Sequence, residues 1–258
     1  MNPILKISNL KIGYKTSKTE NIVAENISFS LEKGKLVALV GANGIGKSTL
    51  LKTILGFEKP FVGSILLNNK NTSEIPQKEL AQYVSVVLTE KLPPSNLSVY
   101  ELIALGRQPY TNWMGELSDF DKEKVEQAIT LTQLQKLVSK KHFELSDGQL
   151  QKVMIARALA QDTEIMILDE PTTHLDLLHK VSVFKLLKIL SEKTQKSVLF
   201  STHDIDMAIE FCDEIIVMTS QSTQKDTPQN LIENGIFDEL FSGESVKFDN
   251  KTKRFLFC

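Results

Sequence analysis

Residues 41–49 read Gly41-Ala42-Asn43-Gly44-Ile45-Gly46-Lys47-Ser48-Thr49, a glycine-rich run ending in a lysine and two hydroxyls. The spacing is Gly-x-x-x-x-Gly-Lys-[Ser/Thr], the pattern of a loop that wraps phosphate. Glycines let the backbone close around an anion with successive N–H groups turned inward. Lys47 supplies a point charge for the outer phosphates, and the Ser48 hydroxyl is placed to ligate Mg²⁺. The apolar run 36–40 precedes the loop and the helix-like run 50–55 follows it. Strand, loop and helix N-terminus are what anion binding requires. A glycine-rich turn without a ligand does not account for those flanks. The loop predicts a bound phosphate and leaves open what the nucleotide is used for.

The rest of the chain has the composition of an ordinary globular protein. Its 258 residues suffice for one large core or two modest ones, and it is 41% hydrophobic and 24% charged. A net charge of −2 gives no overall basic field, so no nucleic acid is expected as partner. Cys212 and Cys258 lie far apart, outside any metal-ligand spacing. Cys212, in a mixed helical stretch, reads as a small buried hydrophobe, which suits a reducing compartment. No apolar segment at the N-terminus reads as a signal peptide, and none approaches the ~18 residues needed to span a bilayer. Action at a membrane would need a span supplied by another chain.

Outward from the loop, the first third is strand-rich. Runs 4–10, 27–31, 36–40 and 64–68 are short and rich in Ile, Val and Leu, with turn residues such as Lys33-Gly34 between them. From Pro93 onward helical spacing takes over at 99–105 and 120–137, with Val125, Ala128, Ile129 and Leu137 sharing one face. Ser118, with Asp121 three residues on, predicts an N-cap for the second of these. A further helix is predicted over 149–160. Buried strands are expected at 165–168, 198–201 and 215–218, with helices at 181–190 and 206–211 between them. Strands alternating with helices imply an α/β fold with a mainly parallel sheet covered on both faces. A helical block, 92–152, interrupts that sheet. The polar tail after Gln221 reads as a small strand and helix addition.

Ile165-Met166-Ile167-Leu168-Asp169-Glu170 is an apolar strand ending in two acids. A carboxylate at the tip of a buried strand can reach Mg²⁺ beside a phosphate loop, a role that suits Asp169. Glu170 is the candidate general base for an attacking water. Leu145-Ser146-Asp147-Gly148-Gln149 opens the helix 149–160, with Ser146 and Gln149 at capping-box spacing. The Ser146 hydroxyl and the Gly148 amide also make a second candidate anion site at that helix N-terminus. The chain carries its own control. Glu116-Leu117-Ser118-Asp119 repeats Glu144-Leu145-Ser146-Asp147, but Phe120 stands where Gly148 does. The first copy is therefore assigned to capping alone and the second to nucleotide contact.

Taken in order from Tyr14 to His203, these motifs resemble the ATP-binding subunit of an ABC transporter. The resemblance implies a RecA-like P-loop NTPase core, an N-terminal antiparallel β subdomain and an inserted helical subdomain. The core would comprise 1–91 and 153–258, and 92–152 would carry the signature motif. It implies ATP and Mg²⁺ as ligands, with Gly41, Asn43, Gly44, Gly46, Lys47, Ser48 and Thr49 in the phosphate loop. Ser146, Gly148 and Gln149 fall in the signature, and Asp176, in Leu175-Asp176, in the D-loop. His203, in Ser201-Thr202-His203-Asp204, stands where the family has a switch histidine, and acts with Lys47 and Glu170 in hydrolysis. Tyr14 occupies the place of the aromatic that stacks on adenine. His142, His174 and His179 have no such context and are expected at the surface or in loops.

Two positions depart from the family pattern. Thr89 stands where the family has a glutamine that touches Mg²⁺, and a threonine hydroxyl has a shorter reach. Asp147 stands where a glycine is usual, which brings a carboxylate toward the triphosphate unless it points away. The resemblance further implies a nucleotide-sandwich dimer with a second copy, integral permease subunits and, indirectly, a substrate-binding protein. The chain would sit peripherally at the cytoplasmic face of the membrane. Ala104-Leu105-Gly106-Arg107-Gln108-Pro109-Tyr110 and Thr173-His174-Leu175-Asp176 narrow the resemblance to ATPases of iron-siderophore, haem and cobalamin importers. An exporter ATPase shares the same engine. A soluble ABC-type ATPase would want a second cassette, an insertion or a basic surface, and a GTPase an Asn-Lys-x-Asp motif; none is present.

Overall fold

The computed structural model describes residues 3–15, 19–88, 95–240, 246–249 and 254–257. Thr89 and Cys258 lie outside them. In chain order the elements begin with β1 (Leu5–Lys15), β2 (Glu20–Leu31), β3 (Leu36–Gly41), α1 (Lys47–Ile54), β4 (Val62–Leu67), β5 (Lys70–Asn71), α2 (Gln77–Tyr83) and β6 (Val84–Val87). Three helices follow, α3 (Val99–Ala104), α4 (Asp119–Thr132) and α5 (Asp147–Ala160). Alternation then resumes with β7 (Ile165–Leu168), α6 (Leu177–Thr194), β8 (Ser197–Ser201), α7 (Ile205–Phe211) and β9 (Glu214–Met218). The chain closes with β10 (Thr223–Asp226), α8 (Pro228–Glu233), α9 (Ile236–Leu240), β11 (Val246–Asp249) and β12 (Arg254–Phe257).

The expected α/β architecture is present. A six-stranded sheet runs β10-β9-β3-β8-β7-β6, parallel throughout except for the antiparallel β10 at its edge. Every residue of β3, β7 and β8 is buried, as a sheet covered on both faces demands. Along β3 the side chains part by period two. Leu36, Ala38 and Val40 join a core shared with α3 to α7, whereas Val37 and Leu39 join one shared with α1 and the N-terminal sheet. That N-terminal sheet is antiparallel, in the order β2-β1-β4-β5.

Register places the site. Leu39 of β3 pairs with Ser201 of β8, and Phe200 of β8 with Leu168 of β7. The C-terminal ends of these three strands are therefore level, and the residues after them (the phosphate loop, Asp169-Glu170 and Thr202-His203) emerge at one edge. Ligands gather at that edge in open parallel sheets.

Some boundaries differ from the sequence reading. The hairpin β1–β2 runs well past 4–10 and 27–31, because Glu20, Asn21 and Glu25 are exposed on it and break the apolar pattern. The helix expected over 120–137 ends at Thr132. Gln133 turns left-handed at φ 60° and Leu134 drops back into the core at 1% exposure. Leu137 ends a separate short 3-10 turn. The Ser118 cap is as expected, its hydroxyl accepting from the Asp121 N–H at 3.2 Å. Cys212 is buried, and that burial pushes its thiol pKa up. His142, expected at the surface or in a loop, lies in the short 3-10 turn 142–144 and is 8% exposed, its Nδ1 3.4 Å from the Ser95 hydroxyl.

Candidate functional site

The phosphate loop spans β3 to α1 on two left-handed glycines, Gly44 at φ 77° and Gly46 at φ 110°. Gly46 caps α1 through its carbonyl, which accepts from the Leu50 N–H at 2.8 Å. The next residues, Lys47, Ser48 and Thr49, form the first turn of α1, so its free N–H groups face into the loop. Asn43 and Gly44 lie exposed at the loop tip, while Gly41 is buried at the end of β3. Lys47 is 5% exposed, and its ammonium donates to the carbonyls of Gly41 at 2.9 Å and Ala42 at 3.2 Å. Burial lowers its pKa, against the opposing pull of Glu170 and Asp169. The amine is thus stored on its own loop, within the field of two acids. Tyr14, near the end of β1, meets the Thr49 hydroxyl at 2.9 Å with its phenol oxygen and is 39% exposed as a residue.

Across the sheet edge, Asp169 and Glu170 follow β7. Asp169 Oδ1 accepts from the Ser48 hydroxyl at 3.0 Å and from the Ser201 hydroxyl at 2.7 Å. Ser201 Oγ in turn accepts from the Glu170 N–H at 2.8 Å. One hydroxyl at the end of β8 therefore holds both acids. The Glu170 backbone sits at φ 47°, a strained conformation for a non-glycine residue. Its Oε1 lies 2.7 Å from His203 Nε2 and its Oε2 accepts from the Thr173 hydroxyl at 3.0 Å. Burial works to raise the Glu170 pKa, but the bonds from Thr173 and His203 and the charges of His203 and Lys47 outweigh it. The net shift is downward. The carboxylate is held ionised, as an acceptor of protons must be.

The sequence thus pointed to Lys47, Ser48, Asp169, Glu170 and His203, and the fold brings them together. Ser201 and Thr173 were missed as members. Ser201 lies in the quoted run 201–204, and a hydroxyl at the end of a buried strand beside paired acids was the available signal. The Thr173 bond depends on a tight turn after Glu170 and left no mark in the sequence.

Ser146, Gly148 and Gln149 stand apart. Ser146 Oγ accepts from the Gln149 N–H at 3.3 Å and Gln149 Oε1 accepts from the Ser146 N–H at 3.2 Å, closing the expected capping box. Asp147 is exposed. Asp176 caps α6, its Oδ1 accepting from the His179 N–H at 2.9 Å and its Oδ2 lying 2.8 Å from His179 Nδ1. Among the described residues, no hydrogen bond joins these residues to the Lys47–Glu170 cluster.

A left-handed glycine loop on a helix N-terminus, level with paired acids two strands along the same sheet, defines a P-loop nucleotide hydrolase. Comparison with known proteins narrows the class. Residues 24–173 match the family model described as ABC transporter. The petrobactin import ATP-binding protein of Bacillus anthracis is 32% identical over 95% of this chain and 88% of its own length. The iron(3+)-hydroxamate import ATP-binding protein of Bacillus subtilis is 34% identical over 86% and 81%. A solved dimeric ATP-binding cassette in a post-hydrolysis state, bound to ADP and phosphate, superposes with a TM-score of 0.73 at 28% identity, covering 87% of this chain and 98% of that one. The chain belongs to the ABC transporter family, as an ATP-binding and ATP-hydrolysing subunit. No helix among the described residues is long and apolar enough to cross a membrane.

Proposed function

We propose that this subunit powers import of an iron-siderophore-type chelate through separate integral permease subunits, from a peripheral position on the cytoplasmic face of the membrane. A substrate-binding protein would deliver the chelate to the permease. The names of the similar importer proteins support the cargo class. The observation that carries the engine is the meeting of Glu170 with His203, beside the Ser48–Asp169 pair and the buried Lys47.

In this reading ATP lies along the loop 41–49, its triphosphate taking the inward N–H groups of Gly41, Asn43, Gly44, Gly46, Ser48 and Thr49 and the ammonium of Lys47. Tyr14 stacks its ring on the adenine. Ser48 and Asp169 offer two hard oxygens, a set that fits Mg²⁺, which takes few protein ligands and completes its shell with phosphate and water. When bound, Mg²⁺ would supply charge neutralisation to the triphosphate. Thr89 is a third candidate ligand. Glu170 accepts a proton from the attacking water as the new P–O bond forms and the bond to ADP breaks. His203 holds that carboxylate and faces the γ-phosphate. Residues 1–91 and 153–258 form the core in this reading, and 92–152 the helical subdomain that presents Ser146, Gly148 and Gln149. With Asp176, those residues close over the nucleotide of a second copy, which accounts for their separation from the chain's own loop.

The test is Glu170→Gln. Turnover should fall by about 10²–10⁴-fold with ATP affinity kept, read by phosphate release and nucleotide binding; near-normal hydrolysis would rule out the assignment. In cells, uptake of a labelled ferric siderophore should fail with the same variant, and unimpaired uptake would exclude the cargo class.

A further inference from the structure

His179, expected at the surface or in a loop, is exposed at the start of α6, and its ring joins two candidate site segments. It lies in the first turn of α6, where Asp176 accepts its backbone N–H at 2.9 Å and meets its Nδ1 at 2.8 Å. One carboxylate thus holds both the main chain and the ring of the same residue. The other edge of that ring covers Gly148. A methyl group on Gly148 would come within 2.3 Å of His179 Cδ2 and 3.0 Å of Nε2, so the glycine is buried although both its preceding neighbours, Ser146 and Asp147, are exposed. Any side chain at this position would have to displace the His179 ring. The related run 116–119 leads instead into Phe120, which is 57% exposed.

The turn before α6 carries His174 at φ 66°, with Asp176, Leu177 and Leu178 all exposed; Leu175 in that turn and Leu145 before α5 pack on the core, and the exposed residues beyond them are held by the two caps. We propose that His179 is a positioning residue that locks the turn at Asp176 to the N-terminus of α5, so that Asp176, Ser146 and Gly148 meet the second copy's ATP as one preformed face. This rests on the reading of those residues as the closing surface. Binding two segments already fixed together avoids ordering each at the moment of closure. His179 touches no reacting atom; it acts through Gly148 and Asp176.

The experiment uses the Glu170→Gln chain, whose ATP-driven dimerisation is followed by light scattering. Adding His179→Ala should raise the ATP concentration for half-maximal dimerisation about tenfold, ~1.4 kcal/mol. In the otherwise native chain it should raise KM by a similar factor while kcat at saturating ATP and the thermal midpoint stay near their original values. His179→Phe fills the space over Gly148 but cannot pair with Asp176, and should remain impaired. Full recovery with Phe reduces His179 to a spacer and overturns the link, as does an unchanged KM and dimerisation in His179→Ala. A large drop in thermal midpoint with loss of ATP binding would mark a folding role and overturn it too. If the Glu170→Gln parent does not dimerise with ATP, the underlying reading falls and the inference with it; a dimerising parent indifferent to His179 sinks the inference alone.

Discussion

Glu170 holds a backbone angle that costs a non-glycine residue on the order of 1–3 kcal/mol, and its surroundings show what sustains it. Its N–H is taken by Ser201, its carboxylate by His203 and Thr173. The depressed pKa keeps the carboxylate charged as pH falls, so catalytic competence should persist below the usual glutamate range until that lowered value is crossed. Thr173→Val removes one donor to the charged form. The acid limb of kcat/KM against pH should then move upward, by some tenths of a unit to about one unit; an unmoved limb would show that the Thr173 bond is broken in the working enzyme. At this scale the residue types were legible before the fold was known. The bonds were not, because Glu170 and Ser201 are joined only by strand register.

Helix α4 shows how an element is secured, and where its reading stopped short. Asp121 closes the capping box with Ser118 and also pairs with Arg107, Oδ1 to Nε at 2.8 Å. Arg107 reaches on to the carbonyl of Ala160 at 3.0 Å and lies 4.0 Å over the Tyr110 ring, tying α4 to the end of α5. Both partners are nearly inaccessible. Asp121→Ala should therefore cost about 3–5 kcal/mol, because it leaves a buried guanidinium uncompensated; urea unfolding measures it. Burial opposes ionisation of Asp121, but the bonds from Ser118 and Arg107 prevail and its pKa is lowered. A depressed folded value stabilises above the unfolded pKa, near 3.9, and that contribution is lost as pH falls through the folded value. Asp121→Asn should correspondingly flatten the acid side of the stability profile. The cap was readable from Ser118 and Asp121; the end of the helix was not. Apolar spacing continued through Leu134 and Leu137, and only the left-handed Gln133 broke it.

At the scale of the whole molecule, the proposed function divides each ATP site between two copies, the loop at Lys47 from one and the signature at Ser146 from the other. This predicts complementation. Lys47→Ala should disable a chain's own loop, and Ser146→Arg should disable its signature, so that each homodimer is inactive. Mixed dimers retain one complete site. An equimolar mixture should recover up to about a quarter of native ATPase activity, since about half the dimers are mixed and each keeps one of two sites. Recovery no greater than the sum of the separate variants would argue for sites complete within one chain.

The sequence by itself determined the phosphate loop, the paired acids, the alternation that makes the sheet parallel and the capping boxes that start α4 and α5. The loop, the acids and the caps are carried by spacing within a dozen residues, and the alternation by a succession of such local patterns. Tertiary structure alone decided that β3, β7 and β8 end level, that Ser201 holds both acids, and that His203 rests on Glu170. It also decided that the His179 ring covers Gly148. Those relations join residues about 30 or more positions apart, and they arise from sheet register and helix packing, which no local pattern records.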